Sequence, residues 1–389
     1  MHNPASDAPS GPDVTFSIAP RSRLRILVIN FTLDRQSPVL AWQSRLVTEL
    51  SQRVEAIHVF TEWLGDFEVP DRVSLTAMPH RPLGVPRTLG AAWLMLPSLI
   101  ASIERFRPDA CFVHMAHEWC YRIGPYLKVR GIPLLLWYAH GSVPWRLQLS
   151  TRIASRIVTS TPEGFRIATP KKRVIGQAID TGLFVIPSDR RIQPEIVTVG
   201  RVSRRKRTML LVEAMALLVG RPGLCGARLV IAGPQLTLDD DVYRREIDAR
   251  IEELGLDRNV QVTGPMQQPE TARLYRTAAL HVNVSATGSM DKTVMEALAC
   301  GCPVLTSNEA FATDLVSFPE MLLSDPTPAA LADRIAAWLG GEHGIEPQRL
   351  RDLVIGRHDL EGYTRKIVCE LEDLVRERRG PRDPRVVKP

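Results

Sequence analysis

Short apolar runs alternate with amphipathic stretches along most of this 389-residue sequence, and no other feature limits its fold as strongly. Such alternation is typical of a parallel β-sheet whose strands are connected by helices. Five of these runs lie in each half of the chain: residues 24–31, 56–60, 109–115, 132–139 and 155–161, then 195–200, 227–233, 259–264, 279–285 and 302–307. The sequence therefore predicts an α/β protein with two parallel sheets.

Helices are predicted between these runs from cap residues and apolar spacing. Ser37 followed by Pro38 indicates a helix start, and apolar residues at helical spacing continue to about Arg53. The tail from 328 to 379 has a helical pattern and no further apolar strand run. In the second half, helices are expected at 208–219, 242–254, 269–277 and 293–300.

A segment rich in Pro, Asp and Arg, residues 185–195, separates the two sets of runs and predicts an interdomain linker. We expect two Rossmann-like domains, 23–186 and 187–360, followed by a C-terminal helix and tail over 361–389. Residues 1–22, rich in Pro, Ser and Asp, are expected to form a disordered leader. Because parallel sheets bind ligands at the carboxyl ends of their strands, we expect the site in a cleft between the domains.

The net charge of +6 is unevenly distributed along the chain. Residues 1–190 carry 22 Lys and Arg against 15 Asp and Glu, a net of +7, whereas residues 191–389 carry 27 against 28, a net of −1. A basic first half favours an anionic partner, such as a lipid head group or a phosphate; the alternative is an Arg-rich composition that scatters charge over solvated surfaces. Nucleic acid is not expected, because no aromatic residues are interleaved with the basic ones.

The sequence features that report on compartment indicate a cytoplasmic protein. The six cysteines form no CxxC pair, which is typical of reduced thiols, and the N-terminus has no basic start followed by an apolar stretch. The most apolar segment, Leu89–Ile103, is interrupted by Pro97 and is shorter than the roughly 20 residues that a membrane span requires. We expect it to form a buried helix, with a membrane-surface helix as the alternative.

The first segment with the chemistry of a binding site follows the strand predicted at 195–200. Gly200 ends that strand and permits close approach of a ligand, and Arg201 and Lys206 follow in the loop before a helix. Two cations over the carboxyl end of a strand are suited to hold a diphosphate. The alternative is a solvated basic loop, because three further arginines lie in the same segment.

The second such segment, residues 285–304, reads as a strand, a loop of small residues, a helix, a glycine and a further strand. The free amides at the start of that helix form an anion site, and Glu296, one turn into the helix, is placed to reach a ribose. The alternative for Glu296 is a surface position. No metal site is expected: Asp239–Asp241 is explained as favourable charge at a helix start, and the histidines of 114–117 do not match a zinc motif.

These two segments together resemble the GT-B retaining glycosyltransferases, in particular glycosyltransferase family four (glycosyl transferases group one). That family has a Gly-Arg with a Lys five residues after the Arg, which Arg201 and Lys206 match. The resemblance covers nearly all of residues 130–310. Further matching positions are Asp180 and Phe184 in VIGQAIDTGLF, and Glu296, Ala297, Gly301, Pro303 and Val304 in the second segment.

The resemblance implies a GT-B fold, with an acceptor-side first domain, a nucleotide-sugar-binding second domain, and C-terminal helices that pack back toward the first domain. It implies metal-independent, retaining transfer from a nucleotide-diphosphate sugar, with no cofactor. Catalytic roles fall on Arg201, Lys206 and His140, the last at the end of a strand in WYAHGS. Donor-binding roles fall on Gly200, Ser203, Gly233, Gly264, Gly288, Ser289, Met290, Asp291, Lys292, Thr293 and Glu296.

Gly288 is the main departure from the family pattern, because the first of the family's two acidic residues falls at this position. Asp291 stands three residues later and either supplies a carboxylate from the same loop or caps the helix. Two alternatives therefore stay open beside a glycosyltransferase: a nucleotide-sugar 2-epimerase of the same fold, and a non-catalytic nucleotide-sugar-binding protein.

The expected acceptor is a glycan or a lipid-linked sugar in glycoconjugate biosynthesis. The basic first half suggests that this domain docks on an anionic membrane surface from the cytoplasmic side. Arg87, Arg105 and Arg107, which flank the apolar segment Leu89–Ile103, are the expected contacts.

Overall fold

A computed structural model describes residues 21–78, 93–286, 288–341 and 344–379 of the chain. It contains two sheets, and every strand pairing within them is parallel. The first sheet has seven strands in the order β3-β2-β1-β4-β5-β6-β7 and the second has five in the order β10-β9-β8-β11-β12. The strands are β1 Arg25–Leu33, β2 Ala56–Leu64, β3 Val73–Ala77, β4 Ala110–His114, β5 Leu134–Trp137, β6 Arg156–Thr159, β7 Lys172–Val174, β8 Gln193–Val199, β9 Arg228–Ala232, β10 Val260–Gly264, β11 Ala278–Asn283 and β12 Val304–Thr306.

Helices follow the strands in both domains, as a doubly wound α/β fold requires. Those of the first half are α1 Ala41–Ser51, α2 Leu96–Phe106, α3 Glu118–Arg130 and α4 Trp145–Ile153. Those of the second half are α5 Thr208–Val219, α6 Leu238–Glu253, α7 Gln268–Thr277, α8 Lys292–Ala299, α9 Pro328–Leu339, α10 Pro347–His358 and α11 Leu360–Arg379. The predicted α/β architecture with two Rossmann-like sheets is confirmed.

The predicted apolar runs all became strands, and the differences lie at element ends and sheet edges. The strands β3 and β7, which the sequence pattern did not predict, lie at the two edges of the first sheet. Helix α1 begins at Ala41 and not at Pro38. Residues before it form a separate turn, in which the hydroxyl of Ser37 accepts the N–H of Leu40 at 3.1 Å.

Helix α11 packs on the first domain although it follows the whole second domain in the chain. Its apolar residues Tyr363, Ile367 and Leu371 are buried in one cluster with Ile26 of β1 and Leu46 of α1. The predicted return of the C-terminal helices toward the first domain is therefore confirmed for α11. Helices α2, α3 and α4 pack on the opposite side of the same sheet.

The chain crosses between the domains twice, and the two crossings lie side by side. The first follows β7 and the second joins α10 to α11, where Ile179 and Asp359 form an isolated parallel bridge. The N–H of Ile179 donates to the carbonyl of His358 at 2.8 Å, and the N–H of Leu360 donates to the carbonyl of Ile179 at 2.8 Å. The buried His358 ring also contacts Asp314 of the second domain, with 3.2 Å between Nε2 and Oδ1. These contacts hold the two crossings together.

Several sequence predictions fall wholly or partly on residues outside the described ranges. Residues 1–20 of the predicted leader and residues 79–92, which include Arg87, belong to this group. The remaining part of the apolar segment forms α2, which buries Leu99 and Ile103 against the first sheet, while Arg105 and Arg107 are exposed. Among the described helices, none combines the length and the apolar character needed to cross a bilayer.

Candidate functional site

A cavity of about 540 Å³ lies between the two domains, where the carboxyl ends of both sheets face each other. The first domain contributes residues that end or follow β1, β4 and β5, among them Phe31, Met115 and His140. The second contributes the segments that follow β8, β9 and β11. The cleft predicted between the domains is therefore present, at the position where open parallel sheets bind ligands.

Glycines at the ends of β8 and β9 let two strand ends of the second domain approach each other closely. The N–H of Gly200 donates to the carbonyl of Ala232 at 2.9 Å, and that of Gly233 donates to the carbonyl of Gly264 at 2.8 Å. Gly233 has a φ of 150°, and a Cβ at this position would lie 1.9 Å from the carbonyl oxygen of Gly200. Gly200 and Gly233 line the cavity, whereas Gly264 supports them from outside its lining.

Lys206 lines the cavity and is held by a carboxylate from the other candidate segment. Its Nζ lies 2.7 Å from Oδ1 of Asp291, and Nδ2 of Asn283 donates to Oδ2 of the same carboxylate at 3.0 Å. Asp291 precedes α8, but its side chain makes no capping hydrogen bond. The cap interpretation of Asp291 is therefore wrong, because its carboxylate binds Lys206 and Asn283 instead.

Arg201 also lines the cavity, and a buried carboxylate beneath it limits its position. Its Nε lies 3.6 Å from Oδ2 of Asp240, which accepts the N–H groups of Leu236 and Thr237. Thr237 and Asp240 form a capping box at the start of α6. The interpretation of Asp239–Asp241 as a helix start is thus confirmed.

The arginines around Lys206 divide into two groups. Arg205 lines the cavity with Arg201 and Lys206. Arg204 is turned away toward α6, where its Nη2 lies 2.6 Å from Oε1 of Glu246 and its guanidinium lies 5.1 Å from the ring centroid of Tyr243. The basic loop is therefore not uniformly solvated, because three of its cations point into one cleft.

Glu296 lies in the cavity wall and is 8% exposed, so the surface alternative is wrong. Burial raises the pKa of Glu296 to about 7, and the nearby Lys292 partly opposes this shift. Burial likewise lowers the pKa of Lys292 to about 7, one turn earlier on the same helix. Burial therefore disfavours the charged form of both groups.

Lys292 connects the second domain to the first through an aromatic ring. Its Nζ donates to the carbonyl of Ala178 at 2.6 Å and lies 3.3 Å from the ring centroid of Trp42 in α1. Trp42 in turn packs edge-on against His114, which is stacked on Trp137 with 4.5 Å between centroids. Burial holds the pKa of His114 well below its usual value, so the His114 ring is neutral. The amine of Lys292 therefore faces an uncharged stack of Trp42, His114 and Trp137.

His140 follows β5 and lines the cavity. Its backbone N–H donates to the carbonyl of Gly164 at 2.8 Å, and its Nδ1 accepts the N–H of Ser142 at 3.0 Å. Burial lowers the pKa of His140, and Arg205 lowers it further. Because a backbone N–H can only donate, the neutral ring carries its proton on Nε2.

Gly288 lies outside the residues that line the cavity. Its φ is 60°, and a Cβ at this position would lie 2.3 Å from Nη2 of Arg166 and 3.1 Å from Oε1 of Glu309. Arg166, from the first domain, pairs with Glu309, from the second, at 3.0 Å. The ion pair therefore occupies the space where a side chain at 288 would lie.

The remaining predicted donor-binding residues, Ser203, Ser289, Met290 and Thr293, all line the cavity. Asp180 does not line it; its carboxylate pairs with Arg45 of α1 and accepts the N–H of Leu183 at 2.9 Å. Among the described residues, no group of three His, Cys, Asp or Glu side chains is arranged to hold a metal ion.

Sequence reasoning did not find the contacts made between the domains. Trp42 beneath Lys292 is one of them, and a hydrogen bond of 2.6 Å from Nε2 of Gln267 to Oε1 of Gln36 at the rim of the cleft is another. Neither residue type nor spacing indicated these pairs, because each joins segments that are far apart in the chain.

Comparison with known proteins agrees with this arrangement. Residues 193–340 match the sequence model of the family Glycosyl transferases group 1. A D-inositol 3-phosphate glycosyltransferase from Catenulispora acidiphila is 28% identical over 274 residues, which cover 59% of this chain and 63% of that protein. A mannosylfructose-phosphate synthase from Agrobacterium fabrum is 24% identical over 112 residues, 29% of this chain and 25% of that protein.

Solved structures extend the similarity to both domains. Anabaena HepE in complex with UDP and glucose superposes with a TM-score of 0.72 at 15% identity, covering 90% of this chain and 100% of that one. Sucrose-phosphate synthase from Thermosynechococcus elongatus gives a TM-score of 0.72 at 20% identity, covering 90% and 99%. The resemblance to the glycosyl transferases group 1 is therefore confirmed, by the family's sequence model over the second domain and by the GT-B fold of both domains.

Proposed function

We propose that this protein is a metal-independent, retaining glycosyltransferase that moves a sugar from a nucleotide-diphosphate sugar to an acceptor. The observation that carries the proposal is the convergence of Arg201, Arg205 and Lys206 on one wall of the cleft, next to the start of α8. The first amides of a helix have no partner within it and favour an anion. Together these groups form a site for a diphosphate.

The chemistry requires stabilisation of a leaving anion. Breaking the bond between the anomeric carbon and the phosphate oxygen places negative charge on the departing nucleoside diphosphate. Cations and amides fixed in place before the reaction stabilise that charge without reorganising. Arg201, Lys206 and the start of α8 fill this role in the proposal, which is why it includes no metal.

The remaining residues of the cleft bind and orient the donor. Glu296, buried one turn into α8, accepts hydrogen bonds from the ribose hydroxyls, and His140 donates from Nε2 to the transferred sugar. The retaining outcome and family four rest on the motif resemblance. A uridine nucleotide is the first donor to test, since HepE was solved with UDP.

The proposal places the enzyme in the cytoplasm, where it glycosylates a glycan or lipid-linked acceptor and docks on the anionic inner face of the membrane. The exposed Arg105 and Arg107 at the end of α2 support the docking surface. By their names, the curated relatives act on inositol phosphate or form a sugar phosphate, so these compounds belong in the acceptor panel.

A ligand screen followed by a transfer assay tests the proposal. Thermal shifts with UDP, GDP, ADP and dTDP sugars identify the donor, because a ligand at 100 times its Kd stabilises by about 2.7 kcal/mol. Acceptor-dependent release of the nucleoside diphosphate then measures transfer, and proton NMR of the product gives the anomeric configuration.

Two alanine variants link that activity to the site. We expect Arg201→Ala and Lys206→Ala each to lower the rate by about 10²–10³-fold, as for loss of an oxyanion-hole donor. Arg204→Ala is the matched control, because Arg204 belongs to the same loop but pairs with Glu246 away from the cleft. Isomerised nucleotide sugar without acceptor would favour the 2-epimerase, and donor binding without turnover would favour a binding protein.

A further inference from the structure

The two walls of the cleft differ sharply in charge. The second domain lines the cavity with four basic side chains, Arg201, Arg205, Lys206 and Lys292, and with two carboxylates. Within the described ranges, the first domain lines the same cavity with no Lys, Arg, Asp or Glu. His140 adds no positive charge, because burial lowers its pKa. Among the described residues, only the wall formed by the second domain carries basic groups that can neutralise a phosphate.

None of the described Lys and Arg residues in the first half of the chain lines this wall. Arg45 of α1, which is near the cleft, pairs with Asp180 in the segment between the domains. Arg122 on α3 lies 2.6 Å from Glu118, and Arg156 of β6 lies 2.6 Å from Glu370 of α11. These three arginines are therefore paired with carboxylates away from the wall.

Much of the uncharged wall is apolar, although Gln43, His140 and Gln177 also line it. Phe31, Val39, Leu40 and Met115, hereafter the apolar wall, come from the ends of β1 and β4 and from the turn before α1. Val39 remains 44% exposed, and Leu236 of the second domain, which lines the same cavity, is 55% exposed. Apolar surface thus remains open on both sides of the cleft.

When an acceptor binds against this wall, the acceptor group that contacts the wall loses its hydration. A phosphate would lose its hydration and gain no cation from the described residues of the first domain in return, which opposes binding. An alkyl or aryl group would lose only apolar hydration, and burial of its surface would favour binding. The arrangement therefore selects for an uncharged acceptor that carries apolar surface.

We infer that the acceptor is a hydroxyl compound with an uncharged alkyl or aryl group, held by the apolar wall, and not a phosphorylated sugar. This inference rests on the proposed function. In the transfer, the acceptor oxygen forms a bond to the anomeric carbon while the bond from that carbon to the phosphate oxygen breaks. The hydroxyl proton passes to the leaving phosphate, and a nucleoside diphosphate departs.

A paired acceptor panel tests the inference once the thermal-shift screen has identified the donor. One arm contains the n-octyl glycosides of glucose, galactose, mannose and N-acetylglucosamine, and the other contains the 6-phosphates of the same sugars together with D-inositol 3-phosphate. Release of the nucleoside diphosphate is measured at equal acceptor concentrations. We expect turnover with the octyl arm and a rate at least tenfold lower with the phosphate arm.

A double variant links that preference to the apolar wall. Val39→Gln with Leu40→Gln should raise the KM for the octyl acceptor about tenfold or more, the scale of discrimination in an apolar pocket, and leave donor affinity unchanged. The matched control is Val129→Gln with Val316→Gln, at positions that are 85% and 73% exposed and outside the cleft.

The possible outcomes distinguish failure of the apolar acceptor from failure of the proposed glycosyltransferase function. Preference for the phosphate arm, no turnover with octyl glycosides despite donor binding, or equal KM values for the two double variants would overturn the apolar acceptor. Absence of both nucleotide binding and nucleotide release across the whole panel would overturn the proposed function instead.

Discussion

Replacing Gly233 by alanine tests whether the close approach of two strand ends builds the diphosphate site. The added Cβ would lie 1.9 Å from the carbonyl oxygen of Gly200, whereas ordinary contact begins at 3.4 Å. The two loops must therefore separate by roughly 1.5 Å, and displacements of about 1 Å at a reacting centre cost on the order of 10²-fold in rate. Because Arg201 follows Gly200 directly, the separation moves one of the cations that the proposed chemistry uses.

The expected result for Gly233→Ala is a loss of about 10²-fold in kcat/KM, which corresponds to about 2.7 kcal/mol of transition-state stabilisation. Stability should fall too, because a φ of 150° disfavours any residue with a Cβ. Isothermal titration measures the nucleotide affinity, the transfer assay measures kcat/KM, and urea unfolding measures the stability.

Gly226→Ala is the control for this variant. Gly226 lies in the loop before β9, and a Cβ there would meet no atom within 4 Å. Its affinity, rate and stability should match the wild type. A Gly233→Ala protein that is folded by circular dichroism, binds nucleotide with wild-type affinity and keeps more than about half of the rate would refute the steric argument.

Three further predictions follow from burial and charge. Because the pKa of Glu296 is raised to about 7, the folded state holds more protons than the unfolded state between about pH 4.5 and 7, so stability falls with rising pH there. In urea unfolding, the free energy of unfolding of Glu296→Gln relative to the wild type should increase by up to about 1.4 kcal/mol per pH unit in that window. A difference between the two proteins that does not change with pH would contradict the raised pKa. Leu371→Ala should lower the free energy of unfolding by about 2–5 kcal/mol, since the side chain is fully buried; a loss below about 1 kcal/mol would be inconsistent with that packing. Arg105→Ala with Arg107→Ala should weaken salt-sensitive co-sedimentation with anionic vesicles by about 1 kcal/mol per residue, and equal binding of wild-type protein to neutral vesicles would count against the docking surface.

The sequence pattern located the buried strands because each reads as an apolar run between turn signals. It did not locate β3 and β7, which are short edge strands with no fully buried residue. An edge strand pairs on one side only, so polar residues are tolerated and the apolar pattern weakens. The edge strands of the first sheet were therefore not predictable from local sequence, whereas β10 and β12, at the edges of the second sheet, kept their apolar runs and were predicted.

A similar limit applies to the site. Arg201, Lys206 and Glu296 were predicted because each stands at a fixed distance from the end of a strand or the start of a helix. The contact of Lys292 with Trp42 could not be predicted, because it depends on how the two domains face each other. Local sequence predicts which side chains lie at the end of a strand, but the residues that they contact across the cleft are known only from the folded structure.

The docking of α11 on the first sheet makes the second domain an insertion within the first. Residues 193–358 form β8 to α10, and the chain then returns to complete the first core with residues such as Ile367 and Val375. During synthesis the second core can close while the side of the first sheet covered by α1 still lacks α11. Exchange of the second domain with that of a relative therefore needs two junctions, one in each of the two segments joined by the Ile179–Asp359 bridge. A chimera with a single junction would pack the α11 of the relative against the first sheet of this protein.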